Sequence, residues 1–310
     1  MTDIRYSFAP MEGITYAQYR KLHRLHFGGV AKYYTPFIAP DSNGSFRHRF
    51  LHELTTDQDA ALVPQLLVNS SEAFNATALK LYELGFSEIN LNAGCPSGTV
   101  FSKHKGAGML TDPEALSATL EGIFGQAERL GYRVSIKTRM GVRSTEEFSA
   151  LMAVYRSFPV AELIVHARCR EDYYEGPVAP EVYAREAAQS EIPMTYNGDI
   201  RTAEDVRKLL SLAPGCSRVM IGRGAVTNPA LFRELQGGAG LSPRELLAFH
   251  DGLLAVWLDT GLAPVYTVMR MKTLWTFMKD LFPDSRREVK AILKAKNLQD
   301  YRSAVRMLLG

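Results

Sequence analysis

The chain has 310 residues, 46% of them hydrophobic and 22% charged, with a formal net charge of +3. These proportions are typical of a soluble globular protein, and because no apolar run approaches about 18 residues, they exclude a membrane-spanning helix. The three cysteines are far apart and form no CxxC pair, which argues against a disulfide framework or a zinc site. With no apolar signal segment near residue 1, we expect a cytoplasmic protein.

Eight short apolar segments recur along the first three quarters of the chain, and helical patterns follow several of them. The segments are Phe8–Met11, Ala31–Thr35, Leu62–Leu67, Ile89–Leu91, Val134–Lys137, Leu163–His166, Pro193–Asn197 and Val219–Ile221. Helix starts are predicted at Thr15, at Ser71, at Asp112 with Pro113 behind it, at Ser144 or Thr145, and at Thr202. Strands that alternate with helices predict a parallel sheet, and eight such units favour a closed (β/α)8 TIM barrel.

The last 70 or so residues have a different pattern. A glycine-rich stretch ends at Gly240, and Ser242-Pro243-Arg244-Glu245 is a capping box that begins a new helix. Apolar stripes at helical spacing then predict four helices. We therefore predict a barrel domain over residues 1–240 and an all-α helical bundle over residues 241–310. The chain from Pro243 onward has a net charge of +4 and the rest −1, which is compatible with either an anionic partner or a solvated helical surface.

Polar residues follow most of the predicted strands. In a TIM barrel the carboxyl ends of the strands meet on one face, where the active site lies. We therefore expect one ring of side chains on this face. Burial of the Lys137 ammonium at the end of a strand costs free energy, so a lysine at this position indicates a functional role. The ring comprises Pro10, Met11, Glu12, Gln65, Asn92, Cys95, Lys137, Arg139, His166, Arg168, Asn197, Gly198, Asp199, Gly222, Arg223 and Gly224.

The stretch Glu88–Leu110 carries a cysteine on a tight turn, because Asn92-Ala93-Gly94-Cys95-Pro96 follows a strand and glycine permits a positive φ. Such a cysteine is a candidate for proton or nucleophile chemistry, although a buried, unreactive cysteine is a common alternative. Farther along, Ile221-Gly222-Arg223-Gly224-Ala225 lies where barrels bind phosphate. No Walker motif or Rossmann fingerprint occurs.

Taken together, these motifs resemble the dihydrouridine synthase family, which is flavin-dependent and reduces uridine in RNA. The resemblance covers the whole chain. It rests on Ala9-Pro10-Met11, Asn92-Ala93-Gly94-Cys95-Pro96, Gly106-Ala107-Gly108, Lys137-Thr138-Arg139-Met140-Gly141, His166-Ala167-Arg168, Asn197-Gly198-Asp199 and Ile221-Gly222-Arg223-Gly224-Ala225. Gly98 departs from the lysine that many members have three residues after the cysteine, and this puts the target nucleotide in doubt.

The resemblance implies FMN as cofactor and NADPH or NADH as electron donor. It implies that Cys95 protonates C5 of the uracil after hydride transfer to C6. The implied FMN-binding residues are Pro10, Met11, Glu12, Gln65, Lys137, His166, Asn197, Gly198, Asp199, Gly222 and Arg223. The implied contacts to substrate or RNA are Asn92, Lys103, Lys105, Arg139 and Arg168. The implied partner is RNA, with tRNA as the family default, and we expect a monomer that binds no metal and no membrane.

Several alternatives remain open at this stage. The chain could be an FMN barrel oxidoreductase acting on a free pyrimidine or another small molecule, or a dihydrouridine synthase acting on rRNA. A flavin-free lyase that uses Lys137 as a Schiff base and a non-catalytic RNA-binding relative are two further possibilities.

Overall fold

The computed structural model describes residues 4–41, 48–57, 59, 61–261 and 263–310. Its strands are β1 (Arg5–Phe8), β2 (Lys32–Tyr34), β3 (Leu62–Val63), β4 (Gln65–Leu66), β5 (Glu88–Ala93), β6 (Arg133–Arg139), β7 (Leu163–His166), β8 (Met194–Asn197) and β9 (Arg218–Ile221). Its helices are α1 (Ala17–His26), α2 (His48–Thr56), α3 (Ser71–Glu83), α4 (Gly98–Phe101), α5 (Pro113–Leu130), α6 (Glu147–Arg156), α7 (Pro180–Ala187), α8 (Ala203–Leu212), α9 (Arg223–Thr227), α10 (Leu231–Leu235), α11 (Pro243–Asp259), α12 (Pro264–Met278), α13 (Arg286–Lys294) and α14 (Leu298–Leu309). Two short 3-10 helices lie at Gly106–Thr111 and Lys279–Leu281.

The strands form one parallel sheet in the order β3-β2-β1-β9-β8-β7-β6-β5-β4. Its two ends, β3 and β4, are halves of one predicted segment that Pro64 interrupts, because proline has no N–H to donate to a strand ladder. The Pro64 carbonyl still accepts a hydrogen bond of 2.9 Å from the Asn90 N–H of β5. The segment therefore joins β2 to β5, and eight segments close the sheet, which confirms the predicted barrel.

The first strand and some helix starts differ from the prediction. β1 ends at Phe8, since Pro10 lacks a donor, so Pro10 and Met11 belong to the loop after the strand and not to the strand itself. Thr15 does not cap α1, because its hydroxyl accepts a hydrogen bond of 2.8 Å from the Met11 N–H. The caps at Asp112 and Thr202 form as predicted.

Two other helix starts also shift by a few residues. Helix α3 is capped by Ser70 instead of Ser71, and its first helical residue is Ser71. Helix α6 begins at Glu147, not at Ser144 or Thr145, because the Glu147 carboxylate bends back to accept hydrogen bonds from the backbone N–H groups of Val142, Arg143 and Ser144.

The four predicted C-terminal helices are present as α11 to α14. Their buried faces include Trp257, Met271 and Trp275, which confirms that the tryptophan and methionine stripe is core. The capping box at Ser242 and Glu245 begins α11 as predicted. The boundary at residue 240 remains a prediction. Helix α11 packs directly on the barrel, so the two parts of the chain are in contact.

An aromatic cluster joins α11 to α1 of the barrel. Phe249 of α11 makes edge-to-face contacts with Tyr19 and Phe27, with ring centroids 5.4 Å and 5.1 Å apart. Arg233, in α10, adds an ion pair of 2.8 Å with Glu245 at the start of α11. The barrel and the C-terminal helices therefore share one continuous apolar core.

No helix in the part of the chain that the structure describes combines the length and the apolar character needed to cross a membrane.

Candidate active site

A cavity of about 430 Å³ opens at the carboxyl ends of the barrel strands. All of the predicted FMN-binding residues line it, and so do Cys95, Asn92 and Arg139. The full lining is Ala9, Pro10, Met11, Glu12, Pro36, Phe37, Gln65, Asn92, Gly94, Cys95, Ser97, Thr99, Val100, Lys137, Arg139, His166, Tyr174, Asn197, Gly198, Asp199, Ile200, Arg201, Met220, Ile221, Gly222, Arg223 and Gly224.

Cys95 is half-buried on a turn that Asn92 caps. The Asn92 side-chain oxygen accepts hydrogen bonds from the backbone N–H groups of Gly94 (3.1 Å) and Cys95 (2.9 Å). This is an Asx-type turn, in which a short amide side chain takes the place of a backbone acceptor. Asn92 thus holds the turn that carries the thiol.

Two glycines, one in the turn and one beside it, lie in close contact with their neighbours. The φ of Gly94 is not positive, so the predicted reason for this glycine is wrong. A Cβ on Gly94 would lie 3.1 Å from the Thr138 carbonyl carbon of β6. A Cβ on Gly106 would lie 2.8 Å from the Cys95 Cβ, and the φ of Gly106 is +57°. The turn that carries Cys95 therefore packs closely between β6 and the 3-10 helix that begins at Gly106.

The thiol of Cys95 is a weaker acid than a free cysteine. Burial raises its pKa, and this outweighs the Ser97 backbone N–H and the charges of Arg139 and Lys137, which lower it. At neutral pH the sulfur therefore carries its proton. A protonated thiol suits proton donation and does not suit nucleophilic attack, which needs a thiolate.

Lys137 and His166 present nitrogen groups to the same cavity. Burial, helped by repulsion from Arg139, lowers the pKa of Lys137 to about 7. Within the described ranges, its ammonium has no hydrogen bond or ion pair to the protein. Burial and the nearby cations lower the pKa of His166 well below its ordinary value, so this ring is neutral. Arg168 Nη1 lies 3.3 Å from His166 Nε2; since a guanidinium can only donate, the His166 proton is on Nδ1.

A chain of side-chain amides crosses the barrel beneath the cavity. Asn92 donates to Gln65 at 2.8 Å, Gln65 donates to Asn90 at 2.8 Å, and Asn90 donates to the Ser135 hydroxyl at 2.9 Å. Each of these four residues is buried. Their mutual hydrogen bonds satisfy groups that would be costly to bury alone, and they fix the amide orientations of Gln65 and Asn92 at the cavity wall.

Two arginines hold Asp199 in an unusual backbone conformation. Its φ is +42°, a left-handed value that few residues other than glycine adopt. Arg168 and Arg223 each donate to one of its carboxylate oxygens. Burial opposes ionisation here, but these guanidinium groups lower the pKa of Asp199 overall, so it is charged at neutral pH.

The cavity end near β8 and β9 is built from backbone in close contact. A Cβ on Gly224 would lie 2.2 Å from the Ile200 carbonyl oxygen, so only glycine fits there. A Cβ on Gly222 would lie 3.2 Å from the Met11 sulfur. Arg201 and Arg223 line this same end. Cationic side chains beside approachable backbone suit an anionic group such as a phosphate.

Three residues for which the resemblance implies contacts to substrate or RNA lie outside the cavity lining. Arg168 is 2% exposed and lies behind it, with its donors directed to Asp199, His166 and the Gly176 carbonyl. Lys103 and Lys105 border a separate surface depression, because the loop after Cys95 coils into α4 and carries them away.

Two polar side chains of the cavity, Tyr174 and Arg201, were not selected by sequence reasoning. Tyr174 lies eight positions beyond the end of β7 and reaches the cavity only because its loop folds back; Arg139 and Arg223 lie over its ring at 5.2 Å and 5.5 Å. No sequence pattern signals this residue. Arg201 follows the Asn197-Gly198-Asp199 motif closely, so extending the motif by two residues would have found it.

The chain resembles known proteins in sequence and in fold. A family model described as dihydrouridine synthase matches residues 7–245. The tRNA-dihydrouridine(16) synthase of Pseudomonas syringae pv. tomato is 30% identical over 261 residues, which span 81% of this chain and 81% of that protein. Its counterpart in Cupriavidus necator is 29% identical over 259 residues, or 82% of this chain and 79% of that protein. The structure of morphinone reductase superposes with a TM-score of 0.51 and 14% identity, covering 77% of this chain and 87% of that one, a likeness in fold alone.

Proposed function

Because the chain belongs to the dihydrouridine synthase family, we propose that it reduces uridine in RNA to 5,6-dihydrouridine and that its substrate is tRNA. The observation that carries the proposal is that the Cys95 thiol and the predicted FMN-binding residues line one cavity at the carboxyl face of the barrel. The relatives named as tRNA-dihydrouridine(16) synthases support tRNA over rRNA and over a free pyrimidine.

The cavity fits FMN in its chemistry. Ala9, Met11 and Met220 provide an apolar wall for a planar ring, and Lys137 supplies an unpaired cation beside it. Arg201 and Arg223, with the glycine-lined backbone at Gly222 and Gly224, suit the phosphate. When bound, FMN accepts electrons from NADPH and delivers a hydride to the substrate.

Cys95 supplies the proton that completes the reduction. Hydride addition at C6 of the uracil leaves negative charge that a proton at C5 neutralises, and the Cys95 sulfur gives up this proton. Its raised pKa keeps the thiol protonated before the step, and the Asn92 cap keeps it at a fixed place on the cavity wall. General acid catalysis of this kind requires both protonation and position.

A base inside a folded RNA cannot reach this cavity without leaving its stack. The cavity opens at the barrel rim. Glu12 lies on this rim, four residues before Tyr16. The ring of Tyr16 is 5.3 Å from the guanidinium of Arg270 in α12. The C-terminal helices thus adjoin the cavity mouth. Their net charge of +4 suits contacts to the phosphates that flank an extruded uridine.

The test is a reconstituted reaction followed by nucleoside mass spectrometry. Purified protein with FMN, NADPH and unmodified tRNA should form dihydrouridine, mapped by fragment masses to position 16. Cys95→Ala should retain FMN and bind tRNA but lose most turnover, and NADH in place of NADPH tests the donor. A wild-type protein that binds FMN but reduces free uridine faster than tRNA would instead identify the small-molecule oxidoreductase.

A further inference from the structure

We propose that Arg139 is a positioning residue that holds Cys95 in the orientation needed for proton donation. The inference rests on the proposed function and replaces the contact to substrate or RNA that the resemblance implies for Arg139. It assigns this arginine to the internal support of the thiol, although its side chain borders the cavity.

The peptide unit between Gly94 and Cys95 is bonded on both sides. Its carbonyl accepts a hydrogen bond of 2.9 Å from Arg139 Nε, and its N–H donates to the Asn92 side chain at 2.9 Å. Arg139 is 1% exposed and Asn92 is 7% exposed. Because rotation of this peptide would break both buried hydrogen bonds, its plane is fixed.

The other backbone group of Cys95 is also held. Its carbonyl accepts a hydrogen bond of 3.0 Å from the Ala107 N–H. With the peptide before it and the carbonyl after it both fixed, the direction of the Cys95 Cα–Cβ bond is fixed as well. Only the side-chain torsion remains to place the sulfur, so the support of the peptide decides where the thiol points.

Arg139 ties this peptide to the segment after β7. Its Nη1 donates to the Cys169 carbonyl at 2.8 Å and its Nη2 donates to the Tyr173 carbonyl at 2.6 Å. The segment is itself anchored, since the Cys169 N–H donates to the Asp172 carboxylate at 2.8 Å. Each nitrogen of the guanidinium is thus bonded to a different backbone carbonyl, a planar fork that lysine cannot reproduce.

A second arginine joins the same two segments. The Arg170 guanidinium lies 4.3 Å from the centroid of the Phe101 ring in α4 and 5.2 Å from that of Tyr173. The Arg170 Nε is buried without a hydrogen-bond partner among the described residues. The main contact of the Arg170 guanidinium is therefore its stacking on these two rings. The stretch from Gly94 to Phe101 is therefore held at both ends.

This geometry leaves Arg139 little capacity to bind RNA. An RNA phosphate would have to displace a buried backbone carbonyl from the guanidinium, and that carbonyl would then lack a partner. A residue that acted on RNA from this position would give up the support of Cys95. The two roles therefore predict different kinetics.

The test compares Arg139→Lys, Cys95→Ala and their combination in the full-length protein. In Arg139→Lys, kcat for tRNA should fall about 10- to 100-fold, because a shift of about 1 Å has such an effect on a reacting group. The KM for tRNA should change less than about twofold, since no substrate contact is lost. In the Cys95→Ala background, Arg139→Lys should cause no further loss, since it acts through a thiol that is gone.

A measurement without RNA or flavin gives an independent result. The pH dependence of Cys95 alkylation by iodoacetamide, localised by peptide mass, reports the environment of the thiol. In Arg139→Lys, Cys95 should be alkylated at least about fivefold faster than in wild type. The pKa of the Cys95 thiol should also lie nearer its ordinary value, since a mobile turn exposes the sulfur. Arg143→Lys is the matched control: its side chain is 81% exposed, and it should behave as wild type.

The outcomes separate the two roles of Arg139. An increase in KM at unchanged kcat, a loss that persists in Cys95→Ala, or unchanged alkylation would each overturn the proposal. If Arg139→Lys does not fold, Arg170→Lys removes the Phe101 stacking without exposing a buried carbonyl and should change alkylation in the same direction. A wild-type protein without dihydrouridine activity refutes the proposed function and leaves the alkylation result to judge this inference.

Discussion

The unpaired lysine in the cavity makes FMN binding depend on pH. The pKa of Lys137 is lowered to about 7 by burial and by Arg139. In the free protein, its charged fraction therefore falls from about one half at pH 7 to about one hundredth at pH 9. If FMN binds the ammonium form, the apparent dissociation constant rises as that fraction falls, which amounts to about 50-fold over these two pH units.

The sign follows from proton linkage. A ring that accepts a hydrogen bond from the Lys137 ammonium, on a ligand whose phosphate adds negative charge to the same cavity, stabilises the charged form of Lys137 and raises its pKa in the complex. Binding then takes up a proton, and an affinity coupled to proton uptake weakens as the pH rises through the pKa of the free protein. The weakening continues until the pH reaches the pKa in the complex.

The assay is a titration of FMN fluorescence at several values between pH 7 and pH 9. Wild type should lose affinity along this curve, whereas Lys137→Met should bind more weakly at pH 7 and show a flat profile. Lys103→Met, a lysine outside the cavity, serves as control and should keep the wild-type slope. A wild-type affinity that is constant over the range, or a slope that survives in Lys137→Met, would show that Lys137 does not govern FMN binding.

Two further substitutions test the fold that supports the site. Gly224→Ala should cost roughly 1–3 kcal/mol and weaken FMN binding, because its Cβ would lie 2.2 Å from the Ile200 oxygen. Gly125→Ala, in open space within α5, should be neutral or stabilising in the same thermal melt, and equal effects of the two would contradict the packing argument. Tyr301→Phe should destabilise the chain by roughly 1–3 kcal/mol, because Trp275 Nε1 donates to the Tyr301 hydroxyl at 2.9 Å in the buried helical core. Urea unfolding measures this loss, and an unchanged midpoint would count against a role for that hydrogen bond.

The barrel and much of its cavity lining can be predicted from the amino-acid sequence. Strand segments are apolar because both faces of a parallel sheet are buried, and the residues just beyond them must lie on one face. The pattern of strands alone therefore predicts that Lys137, His166 and Asp199 share a cavity, which they do. Strand ends are less predictable: β1 spans Arg5–Phe8, three residues earlier than the predicted segment Phe8–Met11, because Pro10 cannot continue the ladder.

Loop conformation limits the rest of the prediction. Arg168 lies only two residues beyond His166, yet its guanidinium bonds behind the cavity to Asp199, a partner 31 positions away. Tyr174 reaches the cavity and Lys103 does not, because tertiary packing decides how each loop folds. Local sequence carries no signal for such distant partners, so residue type and spacing identify candidates without assigning their roles.

The aromatic contact between α1 and α11 has a consequence for how the protein selects a uridine. Phe249 interlocks with rings of the barrel core, and close-packed interiors do not deform gradually. The distance from the basic helices to Cys95 is therefore fixed. If RNA contacts these helices as proposed, only a nucleotide at a matching distance from the contacted phosphates reaches the thiol, and the bending needed to extrude it falls on the RNA. Under that proposal, the spacing between the helices and Cys95 limits which uridine is reduced.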